Sequence, residues 1–593
     1  MNQETHSTRS GQARHCQNCK AEFVIEPEDF VFYDKIKVPP PTWCPECRLI
    51  RRLVFRNERN LYRVKDAASG QEIFSGIPPD SGLKVYEHDY WWSDKWDPMP
   101  YGRDYDFSRP FFEQFLELMY SVPWPARNVL NLVNSDYAEH VGNLRNCYLC
   151  FNLGDSEDSA YLIDTYWTKN SFDITTAEHS ELCYDSIEID KSYKTFFSLY
   201  CDETRDVWFS RDLTGCSDCF GCVNLRNKQY HIFNRPYSKE AYFEELQKMN
   251  LNSYSGLDIA RRRAYEFWRA YPRKFYHGVQ NVNVSGDCLH NCKNVLSSYN
   301  VEDGENLKFC MEASLGVKDS YDYTNWGDNV ELMYETFGCG LGCKNVKFSL
   351  DCWSAVSDIE YSVRSASSSN LFGCVGLKKK SYCIFNKQYT PEEYAVLREK
   401  IIRHMAEMPY ADAEGRTYRY GEFFPPGFSP FSYQETVAND FFPLSKEEAA
   451  AKGYTWRDSE IKEFQMTMKA SAIPDAIGDT PDSIIQEIIE CSSCGRAYRI
   501  IASELQFLRA QGISVPRECV SCRHKARFSM RNLPRYYSRK CMCAGESSEN
   551  AVYRNQVSHS HGIDHCENEF ITSFAPENPS IVYCESCYNS EVV

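Results

Sequence analysis

The sequence lacks the short motifs that identify the commonest catalytic sites. It has no G-x-x-x-x-G-K-[ST] phosphate loop, no H-E-x-x-H metalloprotease motif, no G-x-S-x-G nucleophile elbow and no G-x-G-x-x-G dinucleotide fingerprint. No pair of carboxylates stands out from the ordinary acidic residues. The sequence therefore indicates no catalytic residues, and it leans towards a protein that is not an enzyme.

Long apolar runs are also absent. No stretch reaches the roughly 18 apolar residues that a membrane-spanning helix needs. The first residues, MNQETHSTRSGQARHC, lack the apolar core of a secretory signal peptide. We therefore expect a protein of the reducing cytoplasm, without membrane association. In that compartment the 28 cysteines would serve as zinc ligands or small buried hydrophobic residues rather than as disulfides.

Positive charge is scarce and unevenly distributed. The chain carries 66 Lys and Arg against 83 Asp and Glu, which gives a formal net charge of −17. Residues 35–65 nevertheless hold nine basic side chains against two acidic ones, and residues 517–540 hold eight against one. This balance excludes a chain that binds nucleic acid over its whole surface, but it is compatible with two local basic patches.

A zinc-site pattern occurs twice, once near each end of the chain. Each copy reads C-x2-C-x24-C-x2-C and is followed by an arginine-rich run. Four thiolates in two such pairs match the tetrahedral coordination of structural zinc. A hairpin-like segment between the pairs, with a helix opened by the second pair, predicts a treble-clef module in each copy. The predicted ligands are Cys16, Cys19, Cys44 and Cys47 in the first copy and Cys491, Cys494, Cys519 and Cys522 in the second.

The tail after the second copy predicts a third zinc site, so about three Zn²⁺ ions per chain are expected. The segment around its last cysteine pair, IVYCESCYNSE, corresponds to KVYEHDYWWSD at 84–94, where Glu87 and Tyr90 replace the two cysteines. The predicted ligands are Cys541, Cys543, Cys584 and Cys587, with His561 and Cys566 as alternatives.

The arginine-rich runs predict helices with one basic face, because arginines recur at every fourth residue. Such a face suits phosphate contacts, which makes RNA or DNA the expected partner. The alternative is that these arginines pair with acidic residues of the same chain. The predicted nucleic-acid-binding residues are Arg48, Arg52, Arg56, Arg523, Arg527 and Arg531.

From about residue 140, an aromatic residue recurs every 11 to 13 positions, within short alternating runs separated by Asn, Asp, Gly or Ser. Short strands at a spacing near 12 predict a β-solenoid, and an antiparallel β-sandwich is the alternative. The block is duplicated, since FGCVNLRNKQYHIFN from 220 returns as FGCVGLKKKSYCIFN from 372. Each block ends in a predicted helix, capped by Ser238 or Thr390.

The expected fold is thus mixed and β-rich: a duplicated β-solenoid-like central region with helical caps, flanked by N- and C-terminal treble-clef zinc modules. The predicted domains are a zinc module (14–64), an irregular or helical connector (65–129), a first solenoid-like block with its capping helix (130–250), a basic helical connector (251–279), a second block with its helix (280–408), an irregular linker (409–487), a second zinc module (488–540) and a zinc-knuckle tail (541–593).

The cysteines outside the zinc motifs fit the interior of a solenoid. The C-x2-C-x2-C run that starts at Cys216 could suggest an iron–sulfur cluster. The duplicated block, however, has Ser368 and Leu371 at the first two of these positions, which favours a core role. The residues expected to point inward are Cys147, Cys183, Cys201, Cys219 and Cys222.

Several motifs along the chain resemble an uncharacterised family of large, cysteine-rich, zinc-binding treble-clef proteins of candidate-phylum bacteria. They are CPECRLIRRLVFRNERNLY, WWSDKWD with YGRDYDFSRPFFEQF, FGCVGLKKKSYCIFNKQY, ECVSCRHKARFSMRN and PENPSIVYCESCYNSE. The resemblance implies zinc binding and cytoplasmic residence. This chain departs from the family by lacking cysteine at Glu87 and Tyr90.

Together these patterns predict a zinc-binding, non-enzymatic interaction scaffold that binds nucleic acid through the arginine-rich helices. The alternative is a glycan-binding or glycan-cleaving β-solenoid protein whose zinc modules are purely structural. Electrostatics separates the two, because phosphate binding weakens steeply with salt and glycan binding does not.

Overall fold

The computed structural model of the protein describes residues 11–458, 464–546 and 553–592; small parts of the predicted linker and of the predicted tail lie outside them. The chain divides into two compact units, each assembled from segments that are distant in sequence. The described residues are rich in β-strand and include 12 α-helices. The first unit comprises residues up to Arg127, Tyr276–Asp458 and Pro534–Tyr536, and the second comprises Asn128–Phe275, Ser459–Leu533 and Tyr537 onwards.

A 13-stranded sheet dominates the second unit. Apart from the last pair its strands are parallel, and each residue lies beside its equivalent in the next sequence repeat, as Phe172 lies beside Tyr184 and Phe196 beside Trp208. The aromatic residues of the repeat therefore stack on neighbouring strands. Parallel pairing contradicts the antiparallel β-sandwich. The strands are Val129–Val133, Ala138–Arg145, Cys150–Gly154, Ala160–Tyr166, Phe172–Glu178, Tyr184–Asp190, Tyr193–Phe196, Leu199–Asp202, Arg205–Trp208, Arg211–Thr214, Ser217–Phe220, Gln229–Ile232 and Arg235–Pro236.

In this sheet every third residue is buried, and others are buried as well. From Ala138 to Cys222 a small or apolar side chain is buried at each third position. The residue before most of these positions has a positive φ, and Asn or Asp often occupies it, as at Asn143, Asn146 and Asp155. These residue types tolerate the left-handed region because their short side chains hydrogen-bond locally. The backbone can therefore turn at every third residue while the strands stay in register.

A 12-stranded sheet dominates the first unit and is built in the same way. Its parallel strands pair at nearly the same offset throughout, as Val284 does with Val295 and Tyr321 with Tyr334. Apolar and cysteine side chains fill its core. The strands are Gly278–Val279, Val282–His290, Lys293–Glu302, Glu305–Lys308, Met311–Ser314, Lys318–Gly327, Glu331–Phe337, Lys344–Leu350, Ser357–Glu360, Ser369–Phe372, Ser381–Ile384 and Lys387–Gln388.

Each sheet ends in an antiparallel strand pair that leads into a helix. In the second unit the helix Lys239–Lys248 begins after Ser238, whose side chain accepts a backbone hydrogen bond. In the first unit Pro391–Glu407 begins after Thr390, which forms a capping box. The helix starts predicted from the two Ser/Thr signals are confirmed.

Both cysteine modules contain a helix where the sequence predicts a hairpin-like segment. The helix Pro27–Ile36 lies between the cysteine pairs of the first module, and Ala502–Gln511 lies between those of the second. Pro27 at the first helical position and the acidic Asp29 in the first turn favour a helix start, so the signal was present in the sequence. The helices opened by the second cysteine pair, as predicted, are Pro45–Leu53 and Val520–Phe528.

The other elements lie outside the two large sheets and the cysteine modules, and apart from the 16-residue helix Tyr254–Arg269 they are short. The remaining α-helices are His88–Trp92, Phe111–Ser121, Val437–Phe441 and Lys446–Ala451 in the first unit and Tyr254–Arg269 and Glu585–Val592 in the second. The remaining strands of the first unit pair as Gln12–His15 with Glu22–Ile25, Tyr62–Lys65 with Glu72–Ser75, Val85–Tyr86 with Trp124–Pro125 and Tyr410–Ala411 with Thr417–Tyr418. Those of the second unit pair as Arg273–Lys274 with Val582–Tyr583 and Tyr537–Lys540 with Glu569–Thr572, and Ile489–Glu490 lies between Met468–Lys469 and Ala497–Tyr498 in a three-stranded sheet.

Candidate metal centres

The first cysteine motif brings its four thiols together within the first unit. The sulfur atoms of Cys19 and Cys44 are 3.7 Å apart. The antiparallel strands Gln12–His15 and Glu22–Ile25 flank the turn that carries the first pair. The second pair opens the helix Pro45–Leu53, with Cys44 as its N-cap. The four sulfur atoms that lie within 4.8 Å of one another belong to Cys16, Cys19, Cys44 and Cys47.

The second motif forms the same arrangement within the second unit. The sulfur atoms of Cys494 and Cys519 are 3.8 Å apart. Cys519 is the N-cap of the helix Val520–Phe528, and its backbone amide donates a hydrogen bond to the sulfur of Cys491 at 3.2 Å. The four sulfur atoms within 4.8 Å of one another belong to Cys491, Cys494, Cys519 and Cys522.

These distances fit a tetrahedral zinc ion. With Zn–S bonds of about 2.3 Å, two thiolates of a tetrahedral site lie about 3.8 Å apart. The two measured separations are 3.7 Å and 3.8 Å. Four thiolates fill the coordination sphere and leave no position for a substrate, which is typical of structural rather than catalytic zinc. Both groups are compatible with zinc or another metal ion that prefers thiolate ligands.

The tail groups its cysteines and histidines differently from the prediction. Cys566, an alternative ligand in the sequence analysis, takes the place predicted for Cys543, and its sulfur lies 3.9 Å from that of Cys584. Cys543 belongs instead to a second group, which contains two histidines. The two groups are Cys541, Cys566, Cys584 and Cys587, and Cys543, His559, His561 and Cys587.

His559 is the member of these groups that the sequence analysis did not propose as a ligand. Its Nδ1 lies 3.2 Å from the sulfur of Cys543. The sequence signal for His559 is a run of potential ligands: a C-x-C pair, then an H-x-H pair, then a further cysteine. His559 and His561 form the H-x-H pair, and Cys566 is the last cysteine. Sequence spacing could place these residues in one segment, but it could not divide them between two groups.

In the first unit, carboxylates stand where the tail has thiols. Asp66 precedes Cys541 by the same interval that separates Cys16 from Cys491. Its Oδ1 accepts a hydrogen bond from the amide of Glu87 at 3.2 Å, and the sulfur of Cys541 accepts one from the amide of Cys584 at 3.2 Å. Glu87 also caps the helix His88–Trp92 through its carboxylate. The backbone arrangement is kept, and hydrogen bonds to carboxylates replace those to sulfur.

Hydrogen bonds lower the pKa and so favour the thiolate form at Cys16, Cys491 and Cys584. The thiol of Cys541 lowers the pKa of Cys584 to about 4. Burial raises the pKa of Cys491, but the backbone hydrogen bonds from Cys519 and Cys494 outweigh it, and that pKa falls to about 7. The thiolate is the form that binds metal ions.

The arginines of the first module are buried, and this corrects the predicted nucleic-acid-binding surface. The guanidinium of Arg48 lies 2.9 Å from Asp322, while that of Arg52 lies 3.1 Å from Asp322 and 3.2 Å from Glu335. These four side chains are at most 1% exposed. Arg51, which was not predicted, lies 2.7 Å from Glu335 and is fully buried.

Arg56 does not continue the basic face of Arg48 and Arg52. The helix Pro45–Leu53 ends before it, because the chain leaves the helix after Val54. Arg56 is itself largely buried, and its Nε lies 3.1 Å from Glu58.

The arginines of the second module are paired in the same way within the second unit. Arg523 lies 2.9 Å from Asp173, and Arg527 lies 3.0 Å from it. Arg531, beyond the end of its helix, lies 2.9 Å from Glu188. All three arginines are at most 7% exposed. They were predicted to contact phosphates, and they contact carboxylates of the same chain instead.

The physical basis for the predicted RNA or DNA binding is therefore removed. Phosphate binding needs accessible cations whose counterions can be released. A buried guanidinium that is already paired with a carboxylate supplies neither. The alternative prediction, pairing within the chain, is the arrangement observed.

The fifteen cysteines outside the two modules and the tail are all buried. The five predicted to point inward are at most 3% exposed. Cys216, Cys219 and Cys222 occupy three successive buried positions of the three-residue repeat, which explains their spacing without a cluster. The thiol of Cys183 donates to the carbonyl oxygen of Glu181 at 3.4 Å, and burial raises its pKa to about 12. Such thiols stay neutral and unreactive.

Alkylation should distinguish the two classes of cysteine. In native protein treated with a chelator and then iodoacetamide, the thirteen cysteines of the modules and the tail should react, and the fifteen sheet cysteines should not. Burial protects the second class, because the reagent cannot reach a thiol inside the packed core. Peptide mass spectrometry before and after denaturation reads out each site. Rapid labelling of Cys183 or Cys219 in the folded protein would contradict the assignment.

Comparison with known proteins gives no relative from which a function follows. No family model matches the chain, and no curated protein matches it. A crystal structure described as a putative acetyltransferase from Desulfovibrio desulfuricans G20 is similar over 49% of this chain and 86% of its own, at 8% identity and a TM-score of 0.10. A likeness this weak carries no argument about fold or activity.

Among residues 11–458, 464–546 and 553–592, no helix combines the length and the apolar character that crossing a bilayer requires.

Proposed function

We propose that the protein is a zinc-stabilised, non-enzymatic scaffold in which a cysteine module clamps the β-sheet of each unit. One observation carries this proposal. In each module the second cysteine pair begins a helix, and arginines of that helix are buried against carboxylates of the sheet. In the first module, Cys44 caps the helix that carries Arg48 and Arg52. The metal ion would fix the start of the helix, and the helix would fix the module on the sheet.

The two sheets are proposed to be β-solenoids. Three observations support this: the strands pair in parallel at a near-constant offset, every third residue is buried, and residues with a positive φ lie at the turns. Strands that return to the same register at every sequence repeat fit coils of a solenoid better than strands joined by long crossovers. The antiparallel pair and the helix at the end of each sheet would close its apolar core.

The modules are proposed to be treble clefs with a helix inserted between the cysteine pairs. A hairpin carries the first pair, and the second pair opens a helix. Together with the sequence motifs, this supports membership in the cysteine-rich family of candidate-phylum bacteria. Thiolate metal sites and fifteen buried free thiols suit a reducing compartment, so we propose cytoplasmic residence.

Zinc analysis tests the proposal. Protein purified without chelator should contain at least about three zinc ions per chain, one for each four-cysteine group. Cys16→Ser and Cys522→Ser should each remove one zinc ion, because serine replaces a thiolate by a poor ligand. Elemental analysis by mass spectrometry, with protein quantified by amino-acid analysis, gives the ratio.

A matched control is the same substitution in the sheet. Cys352 is fully buried in the core of the first unit, and Cys352→Ser should leave the zinc content unchanged. Absence of zinc from the wild-type protein, visible iron–sulfur absorbance, or equal zinc loss in all three variants would refute the proposal. Glycan binding stays a prediction, which polysaccharide binding insensitive to salt would support.

A further inference from the structure

We propose that the tail holds two divalent metal ions bridged by the thiolate of Cys587. This inference rests on the proposed zinc binding and extends it from three ions to four. Cys587 belongs to both tail groups, so its sulfur lies within 4.8 Å of six other ligand atoms. The seven ligands are Cys541, Cys566 and Cys584 for one ion, Cys543, His559 and His561 for the other, and Cys587 for both.

The distances around the second ion fit a tetrahedron of two sulfur and two nitrogen atoms. The sulfur of Cys543 lies 3.2 Å from His559 Nδ1 and 3.4 Å from His561 Nε2. The sulfur of Cys587 lies 3.3 Å from the same nitrogen of His561. With Zn–S bonds of about 2.3 Å and Zn–N bonds of about 2.0 Å, the expected separation is about 3.5 Å. All three distances are close to this value.

The two histidines are oriented as metal ligands are. Nε2 of His559, the nitrogen that faces away from the cluster, lies 2.8 Å from a carboxylate oxygen of Glu591, and both side chains are at most 1% exposed. Nδ1 of His561 lies 2.8 Å from the carbonyl oxygen of Asp564. Hydrogen bonds of this kind hold the outer nitrogen as a donor and leave the inner one free to bind a metal ion.

The charges also favour two ions over one. The cluster contains five cysteines, all at most 5% exposed. One divalent cation would satisfy the four-thiolate group and leave Cys543 with two histidines in a buried site. A second cation neutralises that thiolate and uses both imidazoles. Sharing Cys587 lets seven residues supply two four-coordinate ions, and four-coordination is what zinc prefers.

Hydrogen bonds to sulfur support this ligand set. The side-chain amide of Asn555 donates to Cys543 at 3.1 Å, and that of Asn568 donates to Cys584 at 3.4 Å. The backbone amide of Cys584 donates to Cys541 at 3.2 Å. Thiolates at both ends of the cluster thus accept hydrogen bonds, which stabilises their negative charge.

Metal stoichiometry is the first test. The wild-type protein should bind four zinc ions per chain, and His559→Ala should bind three, because the second ion loses one ligand and the first loses none. His565→Ala is the matched control, since this histidine lies in the same segment but outside both groups; it should retain four.

Cadmium substitution tests the bridge directly, already in the wild-type protein. The wild-type protein loaded with cadmium-113 should give four resonances, two of which are split by mutual coupling through the shared thiolate. In the His559→Ala protein one resonance should be lost and the splitting of its partner should disappear.

The outcomes separate this inference from the function on which it rests. Three zinc ions in the wild type, with no change in His559→Ala, would overturn the two-ion cluster and leave the zinc scaffold standing. Four uncoupled cadmium resonances would overturn the bridge. Fewer than three zinc ions would refute the scaffold itself.

Discussion

Arg52→Ala should lower the free energy of opening of the helix Pro45–Leu53 by about 3–5 kcal/mol, the usual cost of removing one partner of a buried ion pair. Arg52 is fully buried, and it contacts Asp322 at 3.1 Å and Glu335 at 3.2 Å. Its loss leaves the buried cluster one cation short, because Arg48 and Arg51 then face three carboxylates, those of Asp322, Glu335 and Glu422. Native-state hydrogen exchange of the helix amides measures this local free energy without requiring the whole chain to unfold in one step.

An exposed pair in the same unit serves as the control. Arg63 and Glu72 form an ion pair in which both side chains are at least 60% exposed. Arg63→Ala should therefore change the opening free energy by no more than about 1 kcal/mol. If Arg52→Ala changed it as little as Arg63→Ala does, the buried arginines would not anchor the module, and the clamp proposed here would be wrong.

Cys519→Ser should open the second module, because structural zinc in small modules supplies an apparent free energy of about 10–16 kcal/mol. Cys519 lies in the second four-cysteine group and caps the helix Val520–Phe528. That helix carries Arg523, which lies 2.9 Å from Asp173 of the sheet. Hydrogen exchange should become much faster from residue 491 to residue 528 and change little in the strand Phe172–Glu178.

Ser493→Ala in the same turn is the control for this experiment. Ser493 is exposed and lies next to the proposed ligand Cys494, but it is not one of the four sulfur donors. The Ser493→Ala protein should keep the zinc content and the hydrogen-exchange pattern of the wild-type protein. A Cys519→Ser protein that exchanges as slowly as wild type would show that the metal does not hold the helix in place.

Patterns that are local in sequence predicted much of this protein. The two cysteine motifs assemble as their spacing indicates, because each C-x2-C pair occupies one turn and the second pair begins a helix. The aromatic repeat appears as register between parallel strands, where Phe172 lies beside Tyr184. Helix starts at Ser238 and Thr390 follow from capping chemistry that involves only neighbouring residues.

The sequence also contains a finer local pattern that the aromatic repeat alone does not show. From Ala138 to Cys222, every third residue is small or apolar. One aromatic repeat spans four of these three-residue units. The C-x2-C-x2-C run from Cys216 occupies three successive buried positions of the same pattern. A period of three differs from the periods of the helix and the flat strand, because the backbone turns at Asn, Asp and other residues of positive φ. A search limited to those two periods could not find it.

The sequence alone thus settled which residues repeat, which cysteines pair into motifs and where the helices after Ser238, Thr390 and the second cysteine pairs begin, since each depends on residues close together in the chain. It could not choose the partners of Arg48 or Arg523, because a basic helical face suits phosphates and carboxylates equally well. Their partners, Asp322 and Asp173, lie hundreds of residues away. Likewise, only the folded tail separates its cysteines and histidines into two groups that share Cys587. Long-range packing decides both, because it determines which charges and which donors are buried together.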